Sequence, residues 1–339
     1  RFYMRYRVLL AVFCCGVCAC EGYSVTEQSS KVAPQPLYRD HKYDGAADPV
    51  VIWNSVENKW FMFYTNRRAN VPGLTGVEWV HGTPIGIAES ENGVNWQYRA
   101  DANIDYAVDK PTWWAPDVFY GRGEYHMYLT VVPGIFDNWS HPRYIIHLTS
   151  QNLLDWQYQS RLSLNTEKVI DADVVQVSGG KYRLYYNDEP DGKSIYYAES
   201  SDLYSWQDKG KVNVDSRGEG PVVFQWQGYW WMIVDAWKGL AVFRSEDMER
   251  WQIQPDRLLE APGTGIDDGV KGGHPDVYVS SGRAYLFYFT HPGRTKENGH
   301  LDNSETRRSS IQVSELKFVN DWLVTDRNEP VYLQLVPQK

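Results

Sequence analysis

Beyond position 20 the sequence has no cysteine: Cys14, Cys15, Cys18 and Cys20 are the whole complement of four. The body of the chain therefore carries no disulfide, no cysteine-based metal site and no thiol nucleophile. It also lacks a Gly-rich phosphate loop, a His-Glu-x-x-His pair and a Gly-x-Ser-x-Gly elbow, so nucleotide, zinc-protease and α/β-hydrolase chemistries find no motif to rest on. Basic charge is in short supply, with 34 Lys and Arg against 43 Asp and Glu and a net charge of −9. Removing Arg1, Arg5 and Arg7 with the leading segment takes that to −12. Such a surface repels phosphate backbones, which excludes nucleic acid as a partner. No helical period of 3.6 runs through the body of the chain.

The leading twenty residues read as a targeting segment. Arg5 and Arg7 precede an apolar run, Val8 to Ala19, that is too short to span a bilayer. Val17-Cys18-Ala19-Cys20 resembles a bacterial lipobox with Cys20 as the lipidated residue; simple cleavage and release is the alternative. The expected organisation is a signal segment over 1–20, a tether over 21–40 and one catalytic domain over 41–339. The expected place is outside the inner membrane of a bacterium, periplasmic or held at the outer membrane, with membrane contact only through the N-terminal lipid.

What the sequence has in excess is aromatic residues, 15% of the chain, with 15 Trp and 24 Tyr. They fall in repeats. Ser90-x-Asn92-x-x-x-Trp96, Ser150-x-Asn152-x-x-x-Trp156, Ser200-x-Asp202-x-x-x-Trp206 and Ser245-x-Asp247-x-x-x-Trp251 share one pattern, and Ser314 to Trp322 is a degenerate fifth. The openings Asp48-Pro-Val-Val, Pro116-Asp117-Val-Phe, Ala172-Asp173-Val-Val, Glu219-Gly-Pro-Val-Val and Pro275-Asp276-Val-Tyr form a second set. Each opening leads through a turn into an aromatic strand such as Trp60-Phe-Met-Phe-Tyr64 or Tyr285-Leu-Phe-Tyr-Phe289. Short strands bounded by turn residues, in five units of roughly 40 to 60 residues, predict an all-β, five-bladed β-propeller in which each blade is a small antiparallel sheet. The recurring Ser and Trp are expected to pin the outer turn of each blade.

In a propeller the innermost strands line a central channel. Asp48, Asp117, Asp173, Glu219 and Asp276 stand at or just before the start of those strands and are expected to converge on the channel mouth as the active site. Asp171 competes with Asp173 for the place in the third repeat. A single aspartate at a strand start is a turn residue. Five near one axis repel one another, a cost tolerable where chemistry or a cation uses it. Cleaving a glycosidic bond needs a protonated carboxyl to donate to the leaving oxygen and a second carboxylate to activate water or to attack.

Ala47-Asp48-Pro49, Trp114-Ala-Pro-Asp117-Val118 and Gly218-Glu219-Gly-Pro221 resemble the three motifs of glycoside hydrolase family 43, over about residues 40–325. The resemblance implies a five-bladed propeller that hydrolyses arabinofuranosyl, xylosyl or galactosyl bonds of plant or algal oligo- and polysaccharides with inversion. It implies Asp48 as general base, Glu219 as general acid, and Asp117 as the residue that raises the acid's pKa and orients it. In an inverting pair the carboxyls stand ~6.5–9.5 Å apart. The resemblance also implies a channel-facing histidine in the fifth blade, matched by His274, near a bound cation or water. No cofactor is required; the acidic channel admits a Ca²⁺, although no loop has a recognisable ligand spacing.

Asn66-Arg67-Arg68, the segment Val77–Gly82 with Trp79 and His81, and the segment Pro133–Arg143 with Trp139 and His141 are not general motifs of that family. Loops of this kind build specificity. Arg67 and Arg68 are candidates for a sugar carboxylate or hydroxyl, Trp79, Trp114 and Trp139 for stacking, and His81, Asp173 and His274 for substrate contact. The loops favour a closed pocket and an exo-acting enzyme. Two other readings stay open. One is a propeller enzyme of different mechanism, a retaining fructosidase or a phosphorylase with Arg67, Arg68, Arg143 and Lys271 on the phosphate; the other is a propeller that only binds sugar.

Overall fold

The structure is a computed structural model and describes residues 31–338. The signal segment and lipobox, and residues 21–30 of the expected tether, lie outside the described residues. The remainder is the five-bladed propeller that the repeats predict. Blade I comprises Ala46–Asn54, Lys59–Asn66, Ile85–Ser90 and Gln97–Asp101. Blade II comprises Thr112–Gly121, Glu124–Val132, Tyr144–Ser150 and Asp155–Arg161. Blade III runs through Val169–Val177, Lys181–Asp188, Ser194–Ser200 and Gln207–Lys211. Blade IV runs through Glu219–Trp226, Tyr229–Asp235, Leu240–Ser245 and Gln252–Ile253. Blade V closes the set with Gly273–Ser280, Arg283–Thr290, Ser310–Val319 and Trp322–Val324. Each is an antiparallel meander in chain order; blade II adds Asn103–Asp105, parallel to its outer strand.

Both faces of each blade are covered by neighbours, so the second strands are apolar on both sides. Their two-residue period sorts side chains between two interfaces. Phe61 and Phe63 pack with Met127 and Leu129 of blade II, while Trp60, Met62 and Tyr64 pack with Tyr285 and Phe287 of blade V. The apolar interior is thus five layers, one per pair of adjacent blades.

The Ser-x-Asn/Asp pattern is the turn between third and fourth strands. In blade III Ser200 Oγ accepts the amides of Asp202 (3.1 Å) and Leu203 (2.9 Å), and Asp202 Oδ1 accepts those of Tyr204 and Ser205. The residue after the Asn or Asp takes a left-handed backbone in all four copies: Gly93, Leu153, Leu203 and Met248. Trp156 and Trp251 donate their indole N–H back to that residue's carbonyl. Leu203 is fully buried, so Ser200→Ala leaves its amide without a partner and is expected to cost about 1–2 kcal/mol. A urea midpoint unmoved by this change would remove the turn's hydrogen bonds from the account of blade stability. The degenerate fifth copy is not this turn. Ser314 lies inside a strand, and the chain reverses at Asn320-Asp321, both with left-handed backbone.

The boundary drawn at residue 41 moves toward the N-terminus. Lys31–Val32 pairs with Tyr332–Leu333, the Tyr38 amide donates to Ile311, and Leu37 and Tyr38 are buried. Val331, Leu333 and Leu335 fill the layer between blades V and I. Both ends of the domain therefore seal the one interface that chain continuity leaves open, which is why residues 31–40 are part of the fold and not of a tether.

Candidate active site

Each innermost strand carries one extra residue. The pairing with the second strand breaks between Ala47 and Val50, Trp114 and Asp117, Ile170 and Asp173, Glu219 and Val222, and Gly273 and Asp276. Inside each break one residue is left-handed: Asp48 (φ 53°), Ala115 (42°), Asp171 (60°), Gly220 (54°) and His274 (36°). Four of them precede a proline, a position that ordinarily holds φ negative and extended. Such bulges re-aim side chains and persist only where surroundings hold them. Here the neighbouring blade does so. The Ala115 amide donates to Thr65 Oγ1 (2.8 Å), that of Asp171 to Thr130 Oγ1 (3.0 Å), that of Gly220 to Asp171 Oδ2 (3.0 Å) and that of His274 to Asp235 Oδ2 (3.0 Å).

The bulges divide the acids into two tiers. In the upper tier stand Asp48, Asp171 and His274 at the bulge itself, with Glu219 one residue before it. Asp48 Oδ2 accepts from Thr65 (2.7 Å), and Oδ1 lies 3.2 Å from His274 Nδ1 and 3.7 Å from Arg67. The His274 ring lies against Gly220, where any Cβ would collide with it; this is why the residue after Glu219 is glycine. Burial opposes the charged imidazole, but Asp48, Asp171 and Asp235 outweigh it and hold His274 above its ordinary pKa. Burial likewise pushes Asp171 up to about 7; His274 pulls it down, and the charges of Glu219 and Asp48 push it up. Glu219 is ion-paired with Lys193, whose ammonium stands 5.9 Å from the Trp237 ring.

The lower tier is Asp117, Asp173 and Asp276, two residues past the bulge. Each carboxylate accepts a backbone amide of the next blade: Asp117 from Val174 (2.7 Å), Asp173 from Val223 (2.9 Å) and Asp276 from Val51 (3.0 Å). Burial pushes all three up, Asp117 to about 8, Asp276 to about 6 and Asp173 well above the carboxylate range. Below them, toward the other end of the channel, lies a cavity of ≈ 700 Å³ lined by all three and by none of Asp48, Asp171 and Glu219. These acids pin blade to blade. The five acids expected at one level therefore occupy two. Asp117, expected beside the general acid, is engaged with Val174, and Asp171 is a carboxyl of the upper tier on which the charge of Glu219 acts.

The other expected contacts sort by exposure. Arg67 is half-buried beside Asp48 and bonds His291 Nε2 (3.0 Å). Arg68 is turned away, its guanidinium donating to the carbonyls of His81 and Glu78 (2.7 Å each). His81 is fully buried and contacts His141 (2.8 Å between Nε2 atoms) and the Val77 carbonyl. Trp79 is buried under Arg294 and Arg307 (5.7 and 5.9 Å), which closes its faces to a sugar. Trp114 is half-buried, its indole N–H on the Val80 carbonyl and Arg143 over its ring. Trp139 is 50% exposed and keeps a free face. Arg143 is buried on Glu189 (2.9 Å), so the four cations considered for a phosphate are not gathered as a set. Sequence reading missed Trp237, 38% exposed next to Lys193; its signal was an aromatic two residues past the end of the blade IV second strand.

Among the described residues no group of three His, Cys, Asp or Glu side chains is arranged to hold a metal ion. Against burial, neighbouring carboxylates hold His274 above its ordinary pKa, and its Nδ1 lies 3.2 Å from Asp48.

A family model described as a probable glycosyl hydrolase domain matches residues 35–263. No protein of curated function matches the chain. Among solved structures the chain is similar to a thermostable family-43 glycoside hydrolase, at 18% identity and TM-score 0.61 over 87% of this chain and 95% of that one. It is similar to a xylan β-1,4-xylosidase from Bacillus halodurans, at 16% identity and TM-score 0.62 over 91% of this chain and 60% of that one. A Cellvibrio cellulosa α-L-arabinanase in complex with arabinohexaose gives 17% identity and TM-score 0.56 over 83% and 95%.

Proposed function

The chain belongs to the probable glycosyl hydrolase family related to glycoside hydrolase family 43, a propeller glycosidase, and we propose that it cleaves by inversion with Asp48 as general base, Glu219 as general acid and Asp171 as orienter of that acid. The observation that carries this reading is the upper tier. Three blades each deliver one carboxyl group to the same end of the channel, and the Asp171 carboxyl feels the charges of both Glu219 and Asp48. The Asp48 carboxylate, the base of this reading, is fixed by Thr65 and lies beside His274 and Arg67. Trp139 and Trp237 offer open ring faces for sugar C–H groups. The similar solved structures include a xylosidase, an arabinanase and a β-1,3-galactosidase, which supports a xylosyl, arabinofuranosyl or galactosyl glycone. The leading segment supports export across a bacterial inner membrane.

The test is turnover of aryl arabinofuranosides, xylosides and galactosides, with the first-formed product anomer followed by NMR. Product of the opposite anomeric configuration to substrate is expected. Retained configuration would replace this mechanism by a covalent one, and turnover only with added phosphate would replace hydrolysis by phosphorolysis. No turnover on an expanded panel, with retained oligosaccharide binding, would leave a sugar-binding propeller.

A further inference from the structure

The wall between blades I and V holds two arginines with little acid to meet them. Arg67 lies 3.7 Å from Asp48, beyond hydrogen-bond reach, and its Nη1 donates to His291 Nε2 at 3.0 Å. That imidazole cannot neutralise it, because His291 Nδ1 is 2.9 Å from the Arg308 carbonyl and must carry the ring's proton there. Arg294 fixes only its Nε, on the Thr306 carbonyl at 2.9 Å, and rests over Trp79. It makes no ion pair among the described residues, while the acid whose charge reaches it, Asp302, is paired with Arg307. Crowding and the like charge of Arg67 bring Arg294 down to about 10. Two guanidiniums joined through His291 and Trp79, whose ring centroids stand 5.9 Å apart, with Arg294's terminal donors open, are complementary to an anion, which a guanidinium meets bidentately.

We propose that Arg67 and Arg294 form an anion subsite beside Asp48, so that the enzyme takes a sugar carrying a carboxylate or a sulfate ester. The proposal rests on the glycosidase reading above and narrows its substrate class. A neutral glycone would leave the terminal donors of Arg294 to water. An acidic one places its charge between the two guanidiniums and makes charge-assisted hydrogen bonds where a hydroxyl would make weaker neutral ones.

Calorimetric titration of the full chain with D-glucuronate, D-galactose 6-sulfate, D-galactose and inorganic phosphate tests this without requiring turnover. At low salt at least one acidic sugar is expected to bind ~10-fold or more tightly than galactose. Arg294→Met is expected to abolish that preference and Arg294→Lys to keep part of it. A gain for glucuronate alone assigns a carboxylate, and a gain for galactose 6-sulfate alone assigns a sulfate ester. Equal binding of charged and neutral sugars, a preference that survives Arg294→Met, or phosphate binding as tightly as the acidic sugars would each overturn the proposal. Because the readout is binding, a failed inversion test leaves this result standing, and a failed titration leaves the hydrolytic mechanism untouched.

Discussion

Asp48→Asn is expected to lower turnover of every accepted glycoside by ~10³-fold or more, whatever the leaving group, the upper range for removing a general base. Glu219→Gln is expected to lose about as much on natural linkages but far less on aryl glycosides, whose leaving groups depart with little protonation. The contrast between the two variants carries the assignment, since a damaged fold would depress all substrates alike. Asparagine can still accept from Thr65 but presents a neutral amide to His274 and Arg67, where Asp48 presents charge. A modest fall in melting temperature is expected with it, and circular dichroism separates that from the kinetic loss. If Asp48→Asn kept wild-type rates, the base would have to be sought elsewhere on the channel.

Asp171→Asn and Asp117→Asn are expected to part company, and by a large margin. In the proposed mechanism Asp171 orients Glu219, so its loss is expected to lower kcat ~10²-fold. Asp117→Asn is expected to leave kcat near wild type, because its carboxyl is occupied by Val174. Its effect is on stability. Burial raises Asp117 to about 8 in the folded chain, whereas in the unfolded chain it ionises near ~3.9. Over that window the folded state holds a proton that the unfolded state has released, so stability falls as pH rises. Asp276 and Asp173 act with the same sign. Melting temperatures measured between about pH 5 and about pH 8 should slope downward in the wild type and less so in Asp117→Asn. Equal slopes, or a kcat collapse in Asp117→Asn with none in Asp171→Asn, would restore the catalytic role to Asp117.

The propeller was legible in the sequence because two independent signals repeat with it: the Ser-x-Asn/Asp turn and the aromatic second strand. The tiers were harder to read, since aligning the repeats on their acids places Asp48 level with Asp117 and Asp173. Aligning them instead on Pro49, Pro116, Ala172, Pro221 and Pro275 sets Asp48, Asp171 and His274 in one row and Asp117, Asp173 and Asp276 in another. That alternative was present in the residues, but only the bulge gives it meaning, and a left-handed residue before proline runs against local preference. Trp79, Arg68 and His81 were read as loop residues open to substrate. The structure buries or ties down each of them, because the loop between blade I's second and third strands folds back on itself through Arg68. Exposure in a long loop depends on what the loop packs against, which spacing does not encode.

The closing contact from Asp276 to Val51 spans 225 positions, and this bears on how the chain acquires its shape. Four of the five apolar layers join blades consecutive in sequence, so they can assemble one after another as the polypeptide lengthens. The fifth must wait for the last blade and the C-terminal segment, and long-range closure of this kind is slow. Until it happens, Trp60, Met62 and Tyr64 present an uncovered face. The nascent enzyme is therefore most vulnerable to aggregation at its oldest blade, and a chain truncated before blade V, at Gly273, would carry that exposure permanently.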